Sequence, residues 1–393
     1  MARAGGSLDD VRRRNLAGVL RLVHRTGSVS RAWLTAQTGL NRSTVGDLVA
    51  ELVGSGLLVE SGQEMTNRVG RPSPLVAPHP GVVAVAVNPE VDAVTVAVVG
   101  LGARVESKRR HELDAPPTPE STARVAAEAI RELGDRRVVG VGLAVPGLVR
   151  EADGVVPWAP HLGWSGVPLA ALVEEAVGVP VAAANDATLG ALAEHLFGAG
   201  RGVDDLIYLN GGAGGIGGGL ISAGRRIGGR GGYAGEFGHN VAAFADPADR
   251  ASATGTVEDE VGRDRLLTAL NRHRATDAEL ALELEAVLGA ADGDDIRVEL
   301  ARQRRVLATT IAAAVNVLDP QLVVLGGYLA LLYETAPAEL TRLVTAQAIP
   351  TGHEGLGLCA AALGDDRLVV GAAELAFARL LSDPVGVRGM MGT

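Results

Sequence analysis

The spacing of hydrophobic residues predicts three short helices near the start of the chain. An amphipathic helix is expected over 8–25, and Gly27 ends it. A second helix is expected between Ser30 and Gly39, and a third after Asn41, because these residue types suit helix caps. The apolar stripes consist of Leu16, Leu20 and Val23 in the first helix and Val45, Leu48 and Leu52 in the third.

A helix, a short glycine turn and another helix are typical of the DNA-binding helix-turn-helix motif. Residues 57–60 and the polar stretch up to Arg71 predict a two-stranded wing. Arg71 is a candidate for entering a minor groove, with an ordinary linker turn as the alternative. For the whole segment, the alternative is a three-helix cap that packs on the rest of the protein. Candidate DNA contacts at the open start of the third helix are Arg42, Ser43, Thr44 and Asp47.

The rest of the chain alternates β-rich runs with helical patterns, which predicts an α/β fold with a mixed sheet. Two halves each start with a strand-turn-strand unit, which indicates a duplicated fold with a ligand-binding cleft between the halves. We expect domains at 1–75, 76–200 and 201–393, with the last helix free to return to the first half. Strands are predicted at 82–87, 93–99, 138–145, 181–184, 206–209, 220–222 and 322–325, and helices at 119–133, 168–177, 187–196, 298–318, 336–348 and 371–381.

Composition narrows the function classes. No apolar run approaches the roughly 20 residues of a membrane helix, and the first six residues lack the apolar core of a signal peptide. Cys359 is the only cysteine, which excludes an internal disulfide framework and a cysteine-rich zinc site. We therefore expect a cytoplasmic protein with no membrane partner. The net charge of −10 hides an asymmetry, because residues 1–75 carry about +4 and the remainder about −14, which keeps DNA as a partner.

The stretch 206–239 has the highest density of glycine. Such glycines either form a concave nest of backbone amides that suits a phosphate, or let a tight turn pass beneath a packed neighbour. Glu236 and His239 follow three residues apart. Together they predict the rim of a cleft that hydrogen-bonds a ligand rich in hydroxyl groups.

Six short segments occur along the chain in a fixed order: Pro146-Gly147, Leu162-Gly163-Trp164, Asn185-Asp186-Ala187, 214–219, 234–239 and Val324-Leu325-Gly326-Gly327. Their order and spacing resemble those of the ROK family (repressors, open reading frames and sugar kinases). The resemblance covers nearly the whole chain, and the predicted winged helix-turn-helix in front is similar to the family's transcription-regulator branch. It implies an actin-like, hexokinase-like (ribonuclease H-like) body of two α/β subdomains hinged about a sugar site.

The resemblance also implies a set of sugar contacts. Asp186 matches the position of the kinases' catalytic base, where a carboxylate either accepts the proton of an attacking hydroxyl or only hydrogen-bonds that hydroxyl. The alternative for Asp186 is a helix N-cap, and for His239 a buried structural histidine. The implied contacts are Asn185, Asp186, Glu236, His239 and Glu258.

Two departures from the family matter. The positions that match its three zinc-binding cysteines hold Asp249, Ala251 and Thr256, which with His239 are too few ligands for a closed tetrahedral site. We therefore expect no structural zinc and no other metal. The loop 242–256 is then expected to be held by packing alone and to be mobile.

The second departure concerns ATP. The kinases' Asp-x-Gly-x-Thr turn is replaced by Asn88, Glu90 and Asp92, which weakens Mg²⁺ binding and adds repulsion toward a triphosphate. ATP is therefore not expected as a ligand, no cofactor is expected, and no residue is expected to be catalytic. The second glycine loop keeps Gly214, Gly215 and Gly217, which hinge and packing geometry alone can explain.

Together these observations predict a sugar-responsive transcriptional regulator, with repression as the expected mode, that uses a degenerate sugar-kinase fold as its sensor. A homodimer or dimer of dimers would bind a palindromic operator. Two alternatives stay open: an active ATP-dependent sugar kinase with an appended DNA-binding domain, and a regulator controlled by a protein partner. The sequence does not identify the sugar, the operator, or the sign of regulation.

Overall fold

The computed structural model describes residues 8–63, 74–212, 214–244, 246–272, 275–289, 294–350 and 354–386. The N-terminal domain packs three helices against a small sheet with strand order β1-β3-β2. Residues 64–71 of the predicted two-stranded wing lie outside the described residues. The structure pairs a strand at 58–63 with one at 74–78, and a third strand at 29–30, just before the second helix, pairs with the latter. Its elements are α1 (Leu8–Thr26), β1 (Val29–Ser30), α2 (Arg31–Thr38), α3 (Arg42–Gly54), β2 (Leu58–Gln63) and β3 (Pro74–Pro78).

The predicted caps of α2 and α3 are confirmed. The Ser30 side chain accepts a hydrogen bond from the backbone N–H of Trp33, and the Asn41 side chain accepts one from Thr44. Gly39 adopts φ 67°, a left-handed conformation that ends α2 at little cost for a residue without Cβ. The turn between the two helices is therefore fixed by local sequence chemistry.

The first lobe contains a mixed sheet with strand order β11-β7-β4-β5-β6. Strand β4 is parallel to β7 and β7 to β11, whereas β4, β5 and β6 form an antiparallel meander. A separate antiparallel sheet, β10-β9-β8, has no counterpart in the sequence prediction. The elements are β4 (Val82–Pro89), β5 (Ala93–Gly100), β6 (Arg104–Glu112), α4 (Pro119–Arg131), β7 (Arg137–Val145), β8 (Leu148–Arg150), β9 (Val155–Ala159), β10 (Trp164–Val167), α5 (Leu169–Val177), β11 (Val181–Asn185) and α6 (Asp186–Phe197).

The second lobe repeats the mixed arrangement with strand order β14-β13-β12-β15-β16. The predicted glycine loop is mostly strand, because β12 and β13 pair along their whole length up to the Gly212 and Gly215 partners. Its elements are β12 (Leu206–Gly212), β13 (Gly215–Ser222), β14 (Arg225–Arg226), α7 (Val257–Glu260), α8 (Arg263–Ala269), α9 (Asp277–Gly289), α10 (Asp294–Leu318), β15 (Leu322–Gly327), α11 (Tyr328–Glu334), α12 (Pro337–Thr345) and β16 (Gly357–Ala360).

The last helix, α13 (Arg367–Ser382), returns to the first lobe and packs on β4, β7 and α6. One hydrophobic core runs from the N-terminal helices through α13 into the first sheet, so the N-terminal domain is docked on this lobe. The expected boundary at residue 75 falls inside β3, which pairs with β1 and β2. No helix in the described ranges is long and apolar enough to span a membrane.

Candidate functional site

Asn185 and Asp186 lie where strand β11 ends and helix α6 begins. The cap is Asn185, whose Oδ1 accepts a hydrogen bond from the N–H of Thr188 at 2.9 Å. Its Nδ2 donates to the carbonyl of Gly147 at 3.2 Å. Hydrogen bonds therefore hold both the oxygen and the nitrogen of the Asn185 side-chain amide, and the second N–H of that nitrogen can donate to a ligand.

The Asp186 carboxylate is the first acidic group of α6, and its Oδ1 accepts a hydrogen bond from the N–H of Ala187 at 2.8 Å. The N-cap alternative for Asp186 is therefore wrong, because Asn185 fills that role. Burial raises the pKa of Asp186 to about 6, and the nearby Glu236 carboxylate adds to this rise, whereas the Ala187 N–H and the Arg367 guanidinium oppose it. A carboxylate with this pKa can accept a hydrogen bond or a proton near neutral pH.

Glu236, His239 and Glu258 form a second polar cluster on the other lobe. The Nδ1 of His239 lies 3.2 Å from Oε1 of Glu258, and its Nε2 lies 3.9 Å from Oε2 of Glu236. The His239 side chain is 43% exposed, so the alternative of a buried structural histidine is wrong. Burial raises the pKa of Glu236, His239 lowers it, and Glu258 raises it again. The cluster thus presents two acids bridged by an imidazole.

Both clusters lie against strand β13 of the second lobe, because an added Cβ at Gly217 would lie 2.7 Å from the Cβ of Ala187, and one at Gly215 would collide with Oε2 of Glu258. The charge of Glu236 acts on Asp186, which places a carboxylate of the second lobe within electrostatic reach of one on the first lobe. Glu258 is held in place because its backbone N–H donates to the carbonyl of Gly238 at 3.1 Å. The structure therefore brings together the five predicted sugar-contact residues. Their oxygen and nitrogen atoms are suited to hydrogen-bonding several hydroxyl groups.

The sequence prediction missed an aromatic residue at this cleft. The Trp158 indole, on β9, lies against the His239 imidazole with ring centroids 5.6 Å apart. Trp158 is 44% exposed, which is unusual for so large an apolar side chain. The sequence offered one signal for this residue: a tryptophan between Pro157 and Ala159 is conspicuous in a chain with only 3% aromatic residues.

The residues that match the kinases' nucleotide-binding turn, Asn88, Glu90 and Asp92, lie at the hairpin between β4 and β5. Asn88 is buried in β4, and the Oε1 of Glu90 accepts a hydrogen bond from Thr95 at 2.6 Å. Arg110 lies 3.4 Å from Glu90 and 2.6 Å from Asp92. Arg110 therefore partly neutralises the two acids within the hairpin, and their repulsion toward a triphosphate remains a prediction.

The second glycine loop packs against the candidate site. Gly215 has φ 108°, and a Cβ there would collide with the Glu258 carboxylate. At Gly217 a Cβ would lie 2.7 Å from the Cβ of Ala187 on α6. Close packing therefore accounts for Gly215 and Gly217, and Gly214 lies beside His161 and Pro146 of the first lobe. Of the two possible uses of these glycines, the structure favours the packed turn.

The positions that match the family's zinc ligands do not fit a metal. The Asp249 carboxylate accepts two hydrogen bonds from Arg305, at 2.9 and 2.6 Å, and Thr256 donates to Asp259 at 2.7 Å. Ala251 has no ligand atom. Within the described ranges, no group of three or more His, Cys, Asp or Glu side chains is arranged to hold a metal ion. The absence of zinc remains a prediction.

Hydrogen bonds and an ion pair hold residues 249–252 of the loop 242–256, so the expectation that packing alone holds this loop is wrong. Buried Glu260 accepts hydrogen bonds from the backbone N–H groups of Ala251 and Ser252, at 2.9 and 2.8 Å. Arg302 of α10 donates to Glu260 at 2.9 Å and to the Asp249 carbonyl at 2.7 Å. The segment next to the site is therefore cross-linked to a long helix.

The predicted DNA contacts lie at the start of α3. Arg42, Ser43 and Asp47 are exposed, and Thr44 is half-buried. Arg71 lies outside the described residues. A groove of about 340 Å³ opens between α1 and the turn before α3, and three arginines line it: Arg14, Arg21 and Arg25. This face of the N-terminal domain is therefore basic.

Comparisons with known proteins confirm the resemblance. The chain is 24% identical over 383 residues to the xylose repressor of Caldicellulosiruptor bescii, covering 93% of this chain and 96% of that protein. It is 30% identical over 249 residues to a glucokinase of Halalkalibacterium halodurans, covering 60% and 74% respectively. A crystal structure of a ROK family transcriptional regulator, a homolog of the E. coli MLC protein, superposes with a TM-score of 0.73 at 23% identity and covers 97% of this chain and 98% of that chain, which confirms the two-lobed α/β fold. The ROK family model matches residues 85–379, and the chain therefore belongs to the ROK family.

Proposed function

We propose that this protein is a sugar-responsive transcriptional repressor that uses a degenerate sugar-kinase body as its ligand sensor. The observation that carries the proposal is the convergence of Asp186 on one lobe with Glu236, His239 and Glu258 on the other. Groups of this kind hydrogen-bond a polyhydroxyl ligand, and because they come from both lobes, the ligand stabilises a closed cleft. The relatives named as xylose repressors support the regulatory assignment.

The residues at the position of the kinases' nucleotide-binding turn support a role as a sensor and not as a kinase. Phosphoryl transfer depends on metal-phosphate positioning and on compensation of the phosphate charge. The loop that would serve this purpose contains the amide Asn88, and its acids Glu90 and Asp92 pair with Arg110. Asp186 therefore acts as a hydrogen-bond acceptor for sugar and not as a catalytic base.

The N-terminal domain acts as a winged helix-turn-helix. Helix α3 is the recognition helix, with Arg42, Ser43, Thr44 and Asp47 toward DNA, and β2 and β3 form the wing. The groove lined by Arg14, Arg21 and Arg25 lies next to the turn and supplies further positive charge for phosphate contacts. A symmetric dimer presents two such helices to the half-sites of a palindromic operator.

Helix α6 connects the sugar site to the DNA-binding domain. It begins with Asp186 and ends with Phe197, and its 12 residues span about 18 Å. The Phe197 ring meets the His24 ring of α1 edge-on, with centroids 5.4 Å apart. Sugar-driven closure of the cleft moves α6 and so changes the setting of the N-terminal domain. Repression is then relieved by a population shift, which requires sugar affinities that differ between the two states by several kcal/mol.

Sugar binding is tested by thermal unfolding with D-xylose, D-glucose and N-acetylglucosamine. A sugar present at about 100 times its Kd adds roughly 2.7 kcal/mol to the free energy of unfolding. We expect stabilisation by at least one sugar and its loss in Glu258→Ala. No stabilisation by any of the three would favour the regulator that responds to a protein partner.

A coupled ATP assay with the same sugars separates the sensor from the kinase. We expect no turnover in the wild type. Turnover that Asp186→Asn abolishes would overturn the sensor assignment. Activity that appears only in the double variant Asn88→Asp with Glu90→Gly would support it, because these changes restore the turn that phosphate and metal require.

DNA binding is tested by selection from a random duplex library, since the operator is unidentified. We expect enrichment of a palindrome with half-sites about one helical turn, or a multiple of it, apart. The sugar that stabilises the protein should then weaken binding to the selected duplex. A protein that enriches no sequence, or whose binding is unaffected by that sugar, contradicts the repressor proposal.

A further inference from the structure

The exposed indole of Trp158, a first-lobe residue, contacts the polar cluster of the second lobe. On the second lobe it meets the His239 ring, with an angle of 40° between the ring planes. On the first lobe its own strand runs beside Gly147, where an added Cβ would lie 2.8 Å from the Trp158 carbonyl oxygen. Gly147 in turn accepts the hydrogen bond from Asn185. The Trp158 ring therefore contacts the second-lobe cluster, and its backbone lies next to Gly147, the hydrogen-bond partner of Asn185.

Strand β9 fixes the backbone position of Trp158 by pairing on both sides. Trp158 pairs with Leu148 on β8 and with Ser165 on β10, so it occupies the central strand of the small sheet. Its neighbours Val156 and Ala159 are buried, whereas the indole is left on the open face. A large side chain on a fixed backbone forms a wall with little conformational freedom left to lose on binding.

The groups around the Trp158 indole indicate which class of ligand can bind beside it. Glu236, His239 and Glu258 provide hydrogen-bonding groups but no flat apolar surface. A pyranose has hydroxyl groups around its edge and C–H groups on its faces, so a complete site needs polar groups at the edge and an aromatic ring beneath a face. Phosphate or DNA is disfavoured here, because the carboxylates of Glu236 and Glu258 flank His239 and the charge of Glu236 also acts on Asp186.

We infer that Trp158 is a sugar-binding residue that stacks on the apolar face of an uncharged pyranose held by the Glu236, His239 and Glu258 cluster. This inference rests on the proposed sugar-sensor function and names the residue that selects for ring shape. Trp158→Ala removes the wall and weakens binding, whereas Trp158→Phe keeps an aromatic face and preserves most of it.

The test is a titration of the full-length protein with whichever of D-xylose, D-glucose and N-acetylglucosamine the wild type binds, by calorimetry and tryptophan fluorescence. We expect Trp158→Ala to raise Kd by about tenfold and Trp158→Phe by less than about threefold. Fluorescence provides a site-specific readout. In a Trp33→Phe background, the sugar-induced emission change should vanish in Trp158→Phe and persist in Trp164→Phe, because Trp164 is buried and donates to the Pro117 carbonyl.

The outcomes separate the two proposals. A Trp158→Ala protein that keeps its fold by circular dichroism and binds sugar as tightly as the wild type overturns the role of Trp158 and leaves the sensor function intact. An emission change that survives in Trp158→Phe when Trp33 is also replaced by Phe counts against the role of Trp158, because Trp33 lies in α2 of the N-terminal domain and would itself respond to a domain movement. A wild type that binds none of the three sugars overturns both proposals.

Discussion

His24 of α1 and Glu374 of α13 form a buried hydrogen bond of 2.8 Å between Nε2 and Oε1 that joins the N-terminal domain to the body. Their side chains are 1% and 4% exposed. The backbone N–H of Gly102 donates to Nδ1 of His24 at 2.9 Å, so Nε2 carries the ring proton and donates to Glu374. The Phe197 and Phe377 rings flank the imidazole. Because this hydrogen bond is buried among apolar side chains, the N-terminal domain can satisfy both partners only when it is docked in this one position.

His24→Ala should destabilise the protein by about 3 kcal/mol, because it leaves the Glu374 carboxylate buried without its donor. Glu374→Gln should cost only about 1 kcal/mol, because the amide oxygen still accepts the Nε2 proton. Urea unfolding followed by circular dichroism measures both changes. Glu132→Gln is the matched control, since Glu132 pairs with Arg109 on the surface. Equal midpoints for His24→Ala and this control would show that the buried bond contributes nothing.

Asp186 should give stability a specific pH dependence. Burial raises its pKa to about 6 from an ordinary value of 3.8. Between these values the folded state holds a proton that the unfolded state has released, so the contribution of Asp186 to stability falls as pH rises from about 4 to about 6 and is constant above. The advantage of Asp186→Asn over the wild type should therefore grow through this window and then level off. Denaturant unfolding at intervals between pH 4.5 and 7.5 tests this, and parallel curves for the two proteins would contradict it.

Local chemistry explains which elements the sequence could predict. The caps Ser30 and Asn41 act on residues three positions away, so the helices they start were predictable. The sheet β8-β9-β10 was missed because its strands have only three to five residues and follow turns, which leaves no periodic pattern to detect. Trp158 was missed with it. Whether a lone Trp faces a cleft or a core depends on pairing that its neighbours in sequence do not specify.

Distant partners explain the remaining differences. His24 and Glu374 are 350 positions apart, and no local signal links them. The loop 242–256 was expected to depend on packing because the residues that match the family's zinc ligands are replaced, but the partners of Asp249 within it, Arg302 and Arg305, lie about 50 residues later on α10. The replaced ligand positions could be read from the sequence, whereas these arginine contacts could be found only in the fold.

Treatment with a metal chelator should leave the stability of the protein unchanged, whereas replacement of Arg302 should reduce it. Arg302→Ala leaves Glu260, which is fully buried, without its cation and should cost about 3–5 kcal/mol. Arg305→Ala should cost less, because the Arg305 side chain is 41% exposed and solvent replaces part of its contact with Asp249. Thermal unfolding with and without EDTA, and denaturant unfolding of both variants, test this order. Arg272→Ala, at an exposed pair with Glu283, serves as the control. A fall in Tm on adding EDTA would show that a bound metal stabilises the protein, and would contradict the prediction that these ion pairs suffice.

Arg42→Ala should weaken binding to the selected duplex and reduce its dependence on salt. A phosphate-contacting arginine displaces about one counterion, so the slope of log K against log salt should fall in magnitude by about 1. Arg109→Ala is the matched control, because it removes the same charge from β6, in the other domain, and leaves α3 unchanged. Fluorescence anisotropy at several salt concentrations measures both slopes. If both variants shift binding equally, the effect of Arg42 comes from net charge alone. A difference confined to Arg42→Ala identifies the start of α3 as the surface that contacts DNA.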